Sequence, residues 1–139
     1  MDLGRRIERT AKHRYIGGGL MIRALISALL FLTFGLAAQA ANDIAQIQQG
    51  LDSPVIVDVR SEGEYATGTI DGAVNHPLQG LPGTLLDMGV ELDEEVIVYC
   101  RSGRRSAQAK TLLKQAGFQL VFDGGPMTQL EQALEQPEP

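Results

Sequence analysis

Apolar and polar positions alternate along residues 41–139 in blocks that predict strands separated by helices. Short β-branched runs bounded by turn residues are typical of strands buried on both faces, while apolar residues spaced by three and four are typical of helices. Three such runs predict strands at 55–59, 96–99 and 120–122, with a brief extended piece at 73–74.

Helical spacing predicts four helices between these strands, at residues 43–49, 62–66, 106–116 and 127–135. Ser61 is placed to cap the second helix, and Gly68 to end it. In the third helix the predicted inward face consists of Ala109, Leu112, Leu113 and Ala116, and in the fourth of Leu130 and Leu134. Residues 79–89 predict a loop that includes one helical turn.

Strands that alternate with helices indicate an α/β fold with a central, mostly parallel sheet and helices on both faces. We expect a single domain over residues 41–136 and an unstructured tail at 137–139. Ligands of such folds bind beyond the carboxyl ends of the strands. The end of strand 96–99 is therefore the place where chemistry is expected.

The N-terminal segment has a different pattern. Residues 24–38 form an uncharged apolar run that follows Arg23 and leads into Ala38-Gln39-Ala40. A spanning helix needs about 20 apolar residues, and small residues of this kind precede signal-peptidase cleavage sites. We predict a signal peptide at residues 1–40, export to the periplasm, and no stable membrane anchor after cleavage. An uncleaved anchor is the alternative interpretation, and Met21 is an alternative start.

Composition narrows the possible functions. One cysteine in 139 residues excludes an intrachain disulfide and a multi-cysteine metal site, and no metal or cofactor is expected. The net charge is -5, and residues 1–40 hold six of the 12 basic residues and two of the 17 acidic ones, so residues 41–139 carry -9. Nucleic acid is therefore not an expected partner. A monomer is expected.

The strand at 96–99 runs directly into the segment Cys100-Arg101-Ser102-Gly103-Arg104-Arg105, which precedes a helix. Free N–H groups and the dipole of a helix N-terminus favour an anion, and a glycine lets a short loop curl its N–H groups around one point. Three of the six basic residues of 41–139 lie in this loop, and Lys110 and Lys114 follow on its helix. The loop is predicted to bind a small anion.

Cys100 stands at the start of this loop. Helix N-termini and neighbouring arginines favour the thiolate, which is the nucleophilic form of cysteine. We predict a reactive, partly exposed thiolate that faces an anionic substrate. The alternative interpretation is a buried structural cysteine, since free cysteines are often buried.

The pattern Cys100-x-x-Gly103-x-Arg105 resembles the active-site loop of the single-domain rhodaneses, the thiosulfate sulfurtransferases, and the export signal points to the small periplasmic ones. The resemblance continues in Asp58-Val59-Arg60 with Glu64-Tyr65, in the segment 68–78, in Gly117-Phe118 and in Gly124-Gly125. Thr69, where that family usually has histidine, and Pro126-Met127, where an aromatic residue usually follows, depart from its pattern.

The resemblance implies a mechanism and a set of site residues. The Cys100 thiolate would attack the outer sulfur of thiosulfate, release sulfite and pass the sulfur from a persulfide to cyanide or a thiol. Backbone N–H groups of residues 101–105, which include Ser102 and Gly103, would surround it. Arg101, Arg104 and Arg105 are candidates for holding the sulfonate, although Arg105 could instead brace the loop against Asp58 or Glu64.

Several residues are predicted to have supporting roles. Asp58 is expected to accept hydrogen bonds at its strand end, and Arg60 to pair with a local acid. His76 is expected to be a loop residue rather than a catalyst. The glycines at 68, 72, 117 and 124 are expected to form turns.

Two other functions stay open. Cysteine-dependent phosphatases and arsenate reductases use a similar loop, but with one more residue between cysteine and arginine than the four that separate Cys100 from Arg105. Arsenate reduction also commonly needs further thiols. A non-enzymatic persulfide carrier or binding module would need the same loop as a sulfurtransferase.

Overall fold

The computed structural model describes residues 38–136, which alternate strands with helices as predicted. Helix α1 covers residues 38–48. It is followed by β1 (Val55–Asp58), α2 (Glu62–Ala66), β2 (Val74–Asn75), a 3₁₀ turn (Leu78–Gly80), α3 (Gly83–Asp87), β3 (Glu95–Cys100), α4 (Arg104–Gln115), β4 (Leu120–Pro126) and α5 (Met127–Glu135). The loop predicted at 79–89 thus contains two helical pieces.

The four strands form one parallel sheet in the order β2-β1-β3-β4. The α/β class and the parallel sheet are confirmed. In this order β1 and β3 are the inner strands, and Asp58 pairs with Tyr99 at their carboxyl ends. The loops that follow these two strands therefore leave the sheet side by side.

Helices cover both faces of the sheet, as predicted, because successive strand residues point to opposite sides. On one face, Val96, Val98 and Cys100 of β3 pack in a core cluster with Leu85 of α3 and Leu113 of α4. On the other face, the alternate residues of β3 pack against α1 and α5: Ile97 and Tyr99 meet Ile47, Leu130 and Ala133.

Helix α4 begins two residues earlier than predicted, at Arg104. Gly103 has φ 86° and ends the loop there, so the helix can start at once. Its buried residues are Ser106, Ala109 and Leu113, whereas Leu112 is 38% exposed. The inward positions predicted for Leu112 and Ala116 are wrong, because the buried face of α4 is narrower than the set of apolar residues along the helix.

The inward position predicted for Leu134 on α5 is also wrong. Leu134 is 38% exposed, and Ala133 is buried instead. Gly124 was also predicted as a turn former but lies inside β4. Its pairing with β3 shifts between Val98 and Tyr99, and a Cβ on Gly124 would come within 2.8 Å of Leu130. Close packing against α5, not a turn, requires glycine there.

Some predictions concern residues that the structure does not describe. The predicted signal peptide lies outside the described residues up to position 37, and so does the tail at 137–139. Within residues 38–136, none of the helices combines the length and the apolar character that a membrane crossing requires.

The position of α4 can be tested by comparing two adjacent leucines. Leu113→Ala removes a fully buried side chain and should lower the free energy of unfolding by about 3 kcal/mol. Leu112→Ala, at a position that is 38% exposed, should cost less than about 1 kcal/mol. Urea unfolding of the two variants measures both values. Equal losses in the free energy of unfolding would contradict this orientation of α4.

Candidate active site

The turn between β3 and α4 folds back over the sulfur of Cys100. The N–H of Gly103 donates to Sγ at 3.1 Å, and the Ser106 hydroxyl lies 3.9 Å from Sγ. That hydroxyl donates to the Gly103 carbonyl at 3.0 Å and so holds the turn against the helix. A backbone donor therefore points at the sulfur, as an anion-binding turn requires.

Glycine is required at position 103 for two reasons. Its φ of 86° lies in the left-handed region, which other residues enter at a cost. A Cβ there would also lie 3.3 Å from Cδ of Pro126, which pairs with Cys100 across the sheet. The second constraint comes from β4 and could not be read from the loop motif.

Cys100 itself is fully buried, so the prediction of a partly exposed thiol is wrong. It is the last residue of an inner strand and packs among Val59, Ala109 and their neighbours. Its position thus matches the alternative interpretation, a buried cysteine. The residues that cover it are exposed themselves: Arg101 and Ser102 are exposed and Gly103 is half-buried. The sulfur therefore lies beneath one short turn.

Helix α4 points its N-terminus at this turn. No side chain caps its first N–H groups, and no acidic residue lies in its first turn. Uncapped N–H groups at a helix start carry partial positive charge and attract anions. The backbone at the start of α4 therefore favours an anion independently of the arginines.

The three arginines of the loop have different roles. Arg105 makes a two-armed ion pair with Glu64 of α2, at 2.7 and 2.8 Å. The sequence left two roles open for Arg105, holding the sulfonate or bracing the loop. The structure shows the bracing contact, with Glu64. Within the part of the chain that the structure describes, Arg101 and Arg104 are exposed and have no acidic partner. Neither guanidinium is therefore tied to a carboxylate of residues 38–136.

Glu64 is itself held in place by the start of its helix. The Ser61 hydroxyl accepts from the Glu64 N–H, and the Glu64 carboxylate accepts from the Ser61 N–H. Such a capping box fixes both residues. The hydrogen bonds from Arg105 and then from Ser61 keep the pKa of Glu64 well below its ordinary value of 4.5.

The pKa of Arg105 is raised in turn, chiefly by its hydrogen bonds to Glu64 and more weakly by the Cys100 sulfur. The same guanidinium thus links α2 to residues 100–105, called the nucleophile loop because Cys100 is the predicted nucleophile.

Asp58 and Arg60 form a buried ion pair at the carboxyl end of β1, so Arg60 does pair with a nearby acid. The Arg60 guanidinium donates to both carboxylate oxygens of Asp58, at 3.0 and 2.6 Å, and the Arg60 N–H donates at 2.9 Å. Arg60 also donates to the Gly68 carbonyl at 2.6 Å. The hydrogen bond to Asp58 raises the pKa of Arg60.

Sequence reasoning missed the hydroxyl groups that complete this cluster. The Tyr99 hydroxyl donates to Asp58 at 3.0 Å and shares a 2.6 Å hydrogen bond with the Thr69 hydroxyl. Thr69, noted only as a departure from the family pattern, is thus a partner of this network. The register between β1 and β3, which puts Tyr99 beside Asp58, is not visible in a motif.

A second missed cluster closes the outer edge of β4. Asp43 of α1 pairs with Lys110 of α4 and accepts the N–H of Asp123 at 2.8 Å. Lys114 donates to the Gln119 carbonyl. Lys110 and Lys114 therefore do not add to the positive charge at the loop.

His76 is half-buried after β2, and burial lowers its pKa. Among the described residues, no three His, Cys, Asp or Glu side chains are grouped so that they could hold a metal ion.

Comparison with known proteins assigns this arrangement to a family. A model of the Rhodanese-like domain matches residues 40–125. The chain belongs to this family, as the motif resemblance predicted.

Its relatives include sulfurtransferases. A sulfurtransferase of Allochromatium vinosum is 31% identical over 83 residues, which are 60% of this chain and 76% of that protein. The thiosulfate sulfurtransferase PspE of Escherichia coli is 33% identical over 69 residues, 50% of this chain and 66% of that protein. A solved structure described as a rhodanese with anions from E. coli matches with TM-score 0.53 and 30% identity, covering 55% of this chain and 91% of that one.

The same domain occurs in longer proteins of another kind. A tRNA uridine(34) hydroxylase of Acaryochloris marina is 33% identical over 87 residues, and the match spans only 28% of its length. The relatives that the chain matches over most of their length support sulfur transfer of the rhodanese type as the class of reaction.

The ion pair between Glu64 and Arg105 should make stability depend on pH. A carboxylate whose pKa is lowered by folding stabilises the fold above its unfolded pKa, and this contribution disappears as the pH falls towards the folded pKa. Glu64→Gln should therefore unfold more easily than wild type at neutral pH, and the difference should shrink as the pH drops below 4.5.

Urea unfolding from neutral pH down to about pH 3 measures this difference. Glu62→Gln is the matched control, because Glu62 lies on the same helix but is exposed and outside the ion pair. A Glu64→Gln penalty that stays constant with pH would contradict the assignment.

Proposed function

We propose that the domain moves sulfane sulfur from thiosulfate to cyanide or a thiol through a persulfide on Cys100. The observation that carries the proposal is the Gly103 N–H aimed at the sulfur at 3.1 Å, under the uncapped N-terminus of α4. Fixed donors of this kind stabilise charge that develops on a reacting atom.

In the first step, the thiolate sulfur of Cys100 bonds to the outer sulfur of thiosulfate. The sulfur–sulfur bond of thiosulfate breaks, and its electron pair leaves with sulfite. In this reaction the guanidinium groups of Arg101 and Arg104, both exposed, would hold the sulfonate oxygens. Because Arg105 is bound to Glu64, it braces the loop in this proposal instead of binding the donor.

The second step returns the sulfur to an acceptor. The acceptor attacks the outer sulfur of the persulfide, and the electron pair of the breaking bond goes back to Cys100, which becomes a thiolate again. This sequence gives ping-pong kinetics. Because Cys100 is buried, the turn at Arg101, Ser102 and Gly103 has to move aside for each substrate.

The loop geometry supports this reaction over phosphate-ester hydrolysis. Only four residues separate Cys100 from Arg105, and the Arg105 guanidinium is bound to Glu64. A phosphoryl group would therefore lack the arginine that closes the longer phosphatase loop in the related enzymes.

The reaction can be tested by intact-mass measurement on the reduced full chain. Treatment with thiosulfate should add about 32 Da to wild type, the mass of one sulfur, and nothing to Cys100→Ser. The serine variant should keep the fold and lose at least about 10³-fold in thiosulfate:cyanide turnover. Folded, reduced wild type that gains no sulfur would contradict the proposal, and so would turnover of an aryl phosphate in place of thiosulfate.

We also propose that the domain acts outside the cytoplasm, with residues 1–40 removed as a signal peptide. The apolar run at 24–38, followed by Ala38-Gln39-Ala40, supports this. N-terminal sequencing of the protein from fractionated cells should find Ala41 as the first residue in the exported fraction. A chain that keeps Met1 or Met21 would argue against cleavage.

A further inference from the structure

An open groove of about 650 Å³ lies beside the nucleophile loop, between α4 and the 3₁₀ turn. Its lining is mostly apolar and includes one cation. The residues are Leu78, Arg104, Ala107, Gln108, Thr111 and Leu112. Apart from Arg104 at one end, the proposed reaction of thiosulfate with Cys100 makes no use of this surface.

One end of the groove lies at the nucleophile loop. Arg104 is the first residue of α4, directly after Gly103, and Leu78 packs against the core cluster that contains Cys100. The other end is at Leu112, which is eight residues further along α4 and therefore about 12 Å away. The groove thus runs from the residue that follows Gly103 along the helix.

Beyond Arg104, the chemistry of the lining is unsuited to the sulfur donor. Thiosulfate is small and doubly charged, and cyanide is smaller still, so neither would contact Ala107 or Leu112. An apolar wall binds apolar groups, because their removal from water is favourable. The Arg104 guanidinium, exposed and without an acidic partner among residues 38–136, adds attraction for one negative charge at the loop end.

We propose that this groove binds the sulfur acceptor, and that the acceptor is a thiol with an extended apolar body. Its thiolate would lie at the Arg104 end, and its body would follow α4 to Leu112. The inference rests on the proposed function, because it assigns the acceptor of the same persulfide.

The step balances without a further reactant. The acceptor thiolate bonds to the outer sulfur of the Cys100 persulfide, and the bond from that sulfur to Sγ breaks. The electron pair remains on Cys100, which is reduced to the thiolate, while the acceptor is oxidised to a persulfide.

The test uses full-length protein that has been loaded with thiosulfate and freed of excess donor. It is mixed with mercaptoethanol or mercaptohexanol, and the loss of the added mass of about 32 Da is followed in a single turnover. At equal, non-saturating concentrations the longer thiol should discharge the persulfide roughly tenfold faster, because its additional methylene groups bind the apolar wall.

Leu112→Gln should reduce this preference at least threefold, and discharge by cyanide should not change. Leu134→Gln is the matched control, since Leu134 is also 38% exposed but lies on α5, outside the groove. It should keep the full preference for the longer thiol.

Equal rates for the two thiols in wild type would overturn the inference. It would also be overturned if Leu112→Gln kept the preference for the longer thiol, or if Leu134→Gln reduced that preference as much as Leu112→Gln does. Each of these results leaves the persulfide mechanism standing. Failure of the loading step would instead remove the proposed function, and the acceptor site with it.

Discussion

The buried carboxylate of Asp58 sets the constraint on which the site depends. A charge at the end of an inner strand is stable only if other groups compensate it, and here Arg60 and Tyr99 do so. Removing one partner of such a pair typically costs about 3–5 kcal/mol. The pair fixes the chain that leaves β1, so α2 starts in one place and Glu64 can reach Arg105. Two ion pairs, Asp58 with Arg60 and Glu64 with Arg105, thus hold the nucleophile loop.

The burial of the cysteine and the backbone donor that faces it follow from one arrangement. Cys100 is the fully buried last residue of an inner strand, and α4 begins only four residues later. The helix then directs uncapped N–H groups to the point where the strand ends. Cys100 is therefore enclosed by apolar neighbours on the sheet side and faces a backbone donor on the loop side.

The positive charge of the domain is divided between structure and surface. Residues 41–139 hold six basic side chains, and four of them bind within the fold: Arg60, Arg105, Lys110 and Lys114. Only Arg101 and Arg104 of that segment remain without a partner among the described residues, and both lie at the loop. In a segment of net charge -9, the cations that lack a partner among the described residues are therefore concentrated at the loop.

The sequence by itself determined the order of strands and helices, because the period of the apolar residues reports local structure. It also located the loop between β3 and α4, because a glycine and three arginines closely follow the cysteine there. The tertiary structure decided which apolar residues are buried, as Leu112 and Leu134 show, since burial depends on what packs opposite. It alone decided that Cys100 is covered, that Arg105 binds Glu64, and that Tyr99 and Thr69 complete the Asp58 cluster. Each of these facts joins residues far apart in the chain, and only strand register and helix packing bring such residues together.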